Sequence, residues 1–199
     1  MNRQLSRNGL ITLLVVLTLN FSALAQSGNA AFPQIKIKNF GQMDDRFYRG
    51  AQPKEDDYKD LAALGIKTVI DLRHEAEEYA KPIVESLGMK YVNIPMIAKK
   101  YPKEEHVAAF LNLINEPATG KFYVHCAGGR HRTGTIGAVY RFNFYGWNYD
   151  QVYREMKDYD YYSRWGHGDF KKYVQEYWQR VQTHQVIPTT AASVTSILQ

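Results

Sequence analysis

The sequence predicts an α/β domain, a mostly parallel central sheet flanked by helices, and three observations carry that prediction. Short β-branched and aromatic runs recur along the chain, at the length of buried strands rather than helices. Charged or amphipathic stretches of helical period separate them, and strand, helix, strand is the order that builds a parallel sheet. The 199 residues contain a single cysteine and are 45% hydrophobic, so no internal disulfide can form and the fold must rest on its core.

Taken in order, the chain opens on Arg3 and Arg7, an apolar run from Leu10 to Leu19, and Ala23-Leu24-Ala25 before Gln26. Two basic residues, an apolar stretch and a small-x-small ending read as a secretory signal peptide over residues 1–25. The apolar run is shorter than the roughly 20 residues a membrane-spanning helix needs. An exported protein is therefore expected, periplasmic or secreted, with no stable membrane span after cleavage. Loss of those two arginines would lower the formal net charge from +5 to +3, which is only mildly basic.

Residues 26–184 read as one domain. Gly65 to Asp71 and Lys90 to Ile94 are strand-like, and the charged stretch from Glu75 to Leu87 is expected to be the helix between them. Lys103 to Asn115 should be a helix with Val107, Phe110, Leu111 and Ile114 on its inner face, and Glu104 and Glu105 complementing its dipole. Lys121 to His125 is a third strand, followed after Arg132 by a helix to about Tyr145. The last helix, about Asp169 to Gln182, carries Phe170, Val174, Tyr177, Trp178 and Val181 at core spacing. Residues 185–199, rich in Thr, Ser and Ala, are expected to be a flexible tail. The chain has no internal repeat, and a monomer is expected.

The chemistry is concentrated in His125-Cys-Ala-Gly-Gly-Arg-His-Arg-Thr-Gly134, which joins the third strand to its helix. Glycines there let the backbone curl until the N–H groups of Ala127, Gly128, Gly129 and Arg130 point into one concavity, and the helix N-terminus adds its positive end. Such a cradle suits a phosphate. A cysteine within it, Cys126, should have its pKa lowered and act as a thiolate nucleophile. Arg132 can hold two phosphoryl oxygens with a planar fork, and the Thr133 hydroxyl can donate to the sulfur as it departs. His125 is expected to orient the loop by hydrogen bonding. A metal site from His125, Cys126 and His131 does not reproduce zinc spacing, and no metal or organic cofactor is required. A basic stripe with interleaved stacking aromatics is missing from the sequence, so nucleic acid is not an expected partner.

His125, Cys126, Arg132 and Thr133 complete the signature HC, five residues, R and S or T. The chain thereby resembles the cysteine-dependent protein tyrosine and dual-specificity phosphatases. Phe47 to Pro53 (FYRGAQP), Leu64 to Arg73 (LGIKTVIDLR) and Tyr91 to Met96 (YVNIPM) are similar to the opening segments of the small atypical members found in plants, fungi and bacteria. The resemblance implies a phosphatase-like fold and phosphomonoester hydrolysis through a phosphocysteine, on a phosphorylated protein or an inositol polyphosphate. A noncatalytic phosphate-binding module is the alternative from another class.

Relatives place a general-acid aspartate after the strand matching Tyr91 to Ile94, yet this chain has no aspartate between Asp71 and Cys126. His131, just before the arginine, is the candidate for that role as well as for phosphate binding, with Asp158, Asp160, Glu104 and Glu105 behind it. Lys99 and Lys100 are expected to face the catalytic loop, where with Arg130 they would suit several phosphates. Tyr101 and Met96 are the candidate walls of a phosphotyrosine pocket.

Overall fold

The computed structural model describes residues 32–183, so the signal peptide expected over residues 1–25 and the tail expected over 185–199 lie outside the described residues. The sheet has five strands: β1 (Gly41–Gln42), β2 (Phe47–Ala51), β3 (Thr68–Arg73), β4 (Lys90–Met96) and β5 (Phe122–Cys126). Their spatial order is β1-β2-β5-β3-β4, antiparallel between β1 and β2 and parallel everywhere else. β5 therefore runs between two parallel neighbours, which is why its five residues FYVHC are buried without alternation.

Among the described residues six α-helices cover the two faces: α1 (Asp57–Ala63), α2 (Ala80–Ser86), α3 (Glu104–Asn115), α4 (His131–Tyr145), α5 (Tyr149–Asp158) and α6 (Gly168–Gln182). Alternate strand residues serve separate cores. Phe47, Ile70, Phe122 and Val124 pack under α3 to α6, while Tyr48, Val69 and Tyr123 pack under α1, α2 and the segment holding Ile35, Ile37 and Phe40. α4 lies at the centre of the larger core and is buried from Thr133 to Phe142, so the one-sided apolar stripe of a surface helix is absent from it. Its far end is fixed by a buried ion pair, in which the Arg141 Nη2 donates to Glu155 Oε1 at 2.6 Å and to the Met43 carbonyl at 3.0 Å.

Three expectations need correction. The helix foreseen over Glu75 to Leu87 begins only at Ala80, because Arg73 draws the Glu75 carbonyl and the Glu77 carboxylate into a turn that ends β3. On α3 the fourth inner residue is Leu113, with Leu111 only half-buried. α5 was not foreseen: its pattern YDQVYREMKD buries only Val152, Glu155 and Met156, and its start is set by a reciprocal cap between Asn148 and Gln151.

Candidate active site

Cys126 is the last residue of β5, and the chain turns through Ala127 to Arg130 before entering α4. The first three carbonyls of that turn are held from outside. The Gln52 N–H donates to Ala127 O at 3.3 Å, Asn39 Nδ2 to Gly128 O at 2.8 Å, and Arg49 Nη2 to Gly129 O at 2.9 Å. A peptide whose C=O points outward turns its N–H inward, so the three contacts together shape the anion cradle. Gly129 is the glycine this requires: its φ is +66°, and an added Cβ would fall 2.4 Å from the Gly50 carbonyl carbon. Gly128 has room for a side chain, so the close approach depends on Gly129 alone of the pair.

The sulfur sits inside this turn, 4% exposed. Burial by itself would push the thiol up, but the Arg132 guanidinium, the Thr133 hydroxyl and the N–H groups of Thr133 and Gly128 outweigh it and lower the pKa. Thr133 Oγ1 has no oxygen or nitrogen partner and is left to the sulfur. Arg132 reaches under the ends of two strands, where its Nη1 donates to Met96 O at 3.1 Å and to Leu72 O at 3.4 Å. Those bonds aim the guanidinium and use one nitrogen of the fork, leaving Nε and Nη2 for phosphoryl oxygens.

The two histidines of the motif behave differently from expectation. His125 is fully buried, stacked on Tyr123 at 5.7 Å, with Nδ1 3.7 Å from Asp71 Oδ1 and no hydrogen-bond partner at either nitrogen. Desolvation brings its pKa down to about 4, so it is a neutral packing group rather than a hydrogen-bonding orienter. His131 lies in the first turn of α4, parallel to His167 with ring centroids 3.5 Å apart, and its Nε2 is 3.0 Å from the Tyr162 carbonyl. A ring nitrogen bonded to a carbonyl must carry the proton, so His131 donates to Tyr162. Burial, then the neighbouring His167, holds its pKa down to about 4. The imidazolium needed for a proton donor is therefore disfavoured, and His131 ties α4 to the α5–α6 connection instead. Facing Asp71 and His167 respectively, His125 and His131 do not converge with Cys126 on a metal position.

Of the reserve acids, Glu104 accepts from Arg180 at 2.8 Å and from Tyr173 at 3.2 Å, locking α3 to α6, and Glu105 pairs with Lys103. Asp160 is the one brought to the loop, with Oδ2 3.3 Å from Arg130 Nη2. Asp158 is exposed at the end of α5. Lys99 does meet the site's rim: it packs over Gly166, and with Arg132 it contributes to lowering the pKa of His167, a shift led by burial. Lys100 is exposed in the same loop. Met96 is 1% exposed and belongs to the core, while Tyr101 packs edge-on to Tyr173 and donates to Glu176, so neither is a pocket wall. The exposed apolar groups beside the rim are Ile97 and Trp165, which sequence reasoning missed because both lie in irregular loops. It also missed Arg49, whose functional contacts come from residues about eighty positions away.

The sequence family described as DSP-PTPase phosphatase fused to NAD+ kinase matches residues 23–166. A Mycosarcoma maydis protein named as a tyrosine-protein phosphatase, OCA1, is 30% identical over 124 residues, covering 60% of this chain and 78% of that protein. Among solved structures, the catalytic core of the PP-IP phosphatase SIW14 from S. cerevisiae superposes with a TM-score of 0.59 at 19% identity, covering 75% of this chain and 93% of its own. P. aeruginosa TpbA in complex with pTyr gives a TM-score of 0.59 at 22% identity, covering 82% and 98%. Both structures share the fold.

Proposed function

The chain belongs to the DSP-PTPase family of cysteine-dependent phosphatases, and on that premise we propose that it hydrolyses phosphomonoesters through a phosphocysteine on Cys126. The observation that carries this is the buried thiol with a lowered pKa, set in a turn whose first three carbonyls are held outward. The Cys126 thiolate attacks phosphorus, the P–O bond to the leaving group breaks, and the leaving oxygen takes a proton. Water then attacks the phosphocysteine and returns a proton to the acid that gave one up in the first step; its oxygen bonds to phosphorus, the P–S bond breaks, and phosphate leaves with the thiolate restored. Arg132 holds two equatorial oxygens through both steps, and Thr133 donates to the departing sulfur. We assign the leaving-group proton to Asp160, because it touches the catalytic loop where Glu104 and Glu105 do not.

A phosphorylated protein, with phosphotyrosine first, is the proposed substrate class. OCA1 bears a tyrosine-phosphatase name and TpbA was crystallised with pTyr. A second reading, an inositol polyphosphate, is favoured by Lys99, which lies over Gly166 and with Arg132 acts on His167, and by the likeness to a PP-IP phosphatase. Hydrolysis measured on phosphotyrosine peptides, inositol polyphosphates and a small aryl phosphate, with and without chelator, tests both. Chelator-resistant turnover that is abolished in Cys126→Ser is the expected result. Substantial turnover by the serine variant would remove Cys126 as the nucleophile. The leader expected over residues 1–25 makes this an exported enzyme in our proposal, which the amino-terminal sequence of protein recovered from the periplasm or medium checks. Among the described residues no helix is long and apolar enough to cross a membrane.

A further inference from the structure

Arg49 is 1% exposed, the largest of the fully buried side chains, and among the described residues no carboxylate oxygen lies within 4.0 Å of its nitrogens. The nearest acid, Glu155, is already engaged by Arg141 through both of its oxygens. A buried guanidinium without its own counter-ion is costly to fold around, and here its Nε is also left without a partner. The fold nevertheless makes a dedicated slot for it. One face of the guanidinium lies over the Tyr159 ring at 3.9 Å. The other side meets α4 where Gly134 and Gly137 have no side chains: a Cβ there would stand 3.8 Å from Arg49 Nη2 and 3.3 Å from Nη1. From this slot Nη2 grips the Gly129 carbonyl at 2.9 Å, immediately behind the turn that encloses the sulfur.

We propose that Arg49 is a positioning residue for the nucleophile, a buried cation that shapes the catalytic loop from behind and serves as the standing counter-charge of the Cys126 thiolate. The proposal rests on the phosphatase reading. Arg132 faces the substrate side and must transfer its fork to the incoming phosphate, whereas Arg49 has no access to substrate and keeps its charge behind the Gly129 carbonyl throughout the cycle. Of the groups that favour its charge, Cys126 is the one on the catalytic loop. It follows Tyr159 and Glu155 in that set, against a leading desolvation cost. The other groups around the sulfur are Arg132 and Thr133 from α4, His125, which is held neutral, and Tyr123, whose hydroxyl is pushed well above its usual range by burial.

Because the chain has one cysteine, the rate of iodoacetamide alkylation as a function of pH reads the Cys126 thiolate directly and requires no turnover. Arg49→Gln keeps an amide donor for the Gly129 carbonyl and removes the charge; Arg49→Lys keeps the charge and gives up the fork. Loss of the buried cation should raise the alkylation midpoint by on the order of one pH unit in the glutamine variant, with the lysine variant remaining near wild type. Equal midpoints for wild type and a folded glutamine variant would overturn the proposal, as would equal shifts in both variants, which would leave only the carbonyl contact. Should thermal unfolding show that the glutamine variant does not fold, Arg132→Gln gives the test from the other side. With Arg49 in place, its midpoint should stay below the value of about 8.5 for free cysteine, and a midpoint at or above that value would refute the role. Absence of phosphatase turnover together with the expected shifts would overturn the proposed function and leave the Arg49 assignment standing.

Discussion

The back of the catalytic loop and its rim are built by opposite means. Behind the loop, Asn39, Arg49 and Gln52 each take one carbonyl of the turn; Arg49 is buried, and Asn39 and Gln52 are half-buried. At the rim, Asp160 is exposed, Lys99 lies across Gly166, and Trp165 is 78% exposed with a left-handed φ of +61°. A buried hydrogen bond to a fixed carbonyl tolerates little change, because removing one partner strands the other at a cost of about 1–3 kcal/mol. An exposed ion pair contributes at most about 1 kcal/mol and can be rearranged freely. The proposed reaction would thus be specified from behind, with the choice of substrate left to the solvent-facing side.

Substitutions on the two sides should separate accordingly. Gly129→Ala is expected to have the largest effect, because it places a Cβ 2.4 Å from the Gly50 backbone at a φ that side chains avoid. Turnover should be lost and the melting temperature lowered; an active, stable alanine variant would show that the braced turn is not required. Arg132→Lys should come next. It retains the charge without the fork, and kcat should drop on the order of a hundredfold, the usual scale for loss of a transition-state donor. A rate close to wild type would mean that the aimed fork contributes nothing.

The rim is tested by comparing leaving groups. Asp160→Asn should slow an alkyl phosphate by on the order of tenfold or more while sparing an activated aryl phosphate, whose phenolate leaves without a proton. His131→Ala should reduce both rates alike and modestly, since the neutral ring is occupied with the Tyr162 carbonyl and His167. The reverse pattern would restore His131 as the acid and remove Asp160.

Stability against pH gives a test that needs no turnover. His125 behind the loop and His131 beside it both have pKa values of about 4 in the fold, against about 6.5 in an unfolded chain. Between those values the unfolded chain binds more protons, so stability contributed by the neutral rings is present above pH 6.5 and declines as pH is lowered through that window to about 4. Thermal melts from pH 7 to 4 should show the decline, and its reduction in His131→Ala would separate the two rings. Melts that do not change with pH would mean that neither ring is held neutral.

Much of this architecture was legible from the sequence. Strand β5, the loop and helix α4 follow from a continuous stretch, because apolar period, glycine placement and the spacing of Cys126 and Arg132 are local properties of the chain. The parallel sheet followed from alternating strand and helix patterns, a consequence of how parallel strands must be connected. Helix α5 was missed because three buried residues in ten leave too weak a pattern, and the start of α2 was misplaced because the Arg73 side chain captured the turn formed by Glu75 and Glu77.

The sequence by itself determined the class of fold and the position of the loop that holds the proposed nucleophile and arginine fork, all carried by residues close together along the chain. Only the tertiary structure decided that Arg49 stands behind the sulfur, that His131 is a stacked neutral ring, and that Asp160 rather than Glu104 reaches the loop. Those assignments depend on which distant segments a folded sheet and its crossing helices bring into contact. Burial and pairing then set the charge of each group, and neither exists until the chain has closed around it.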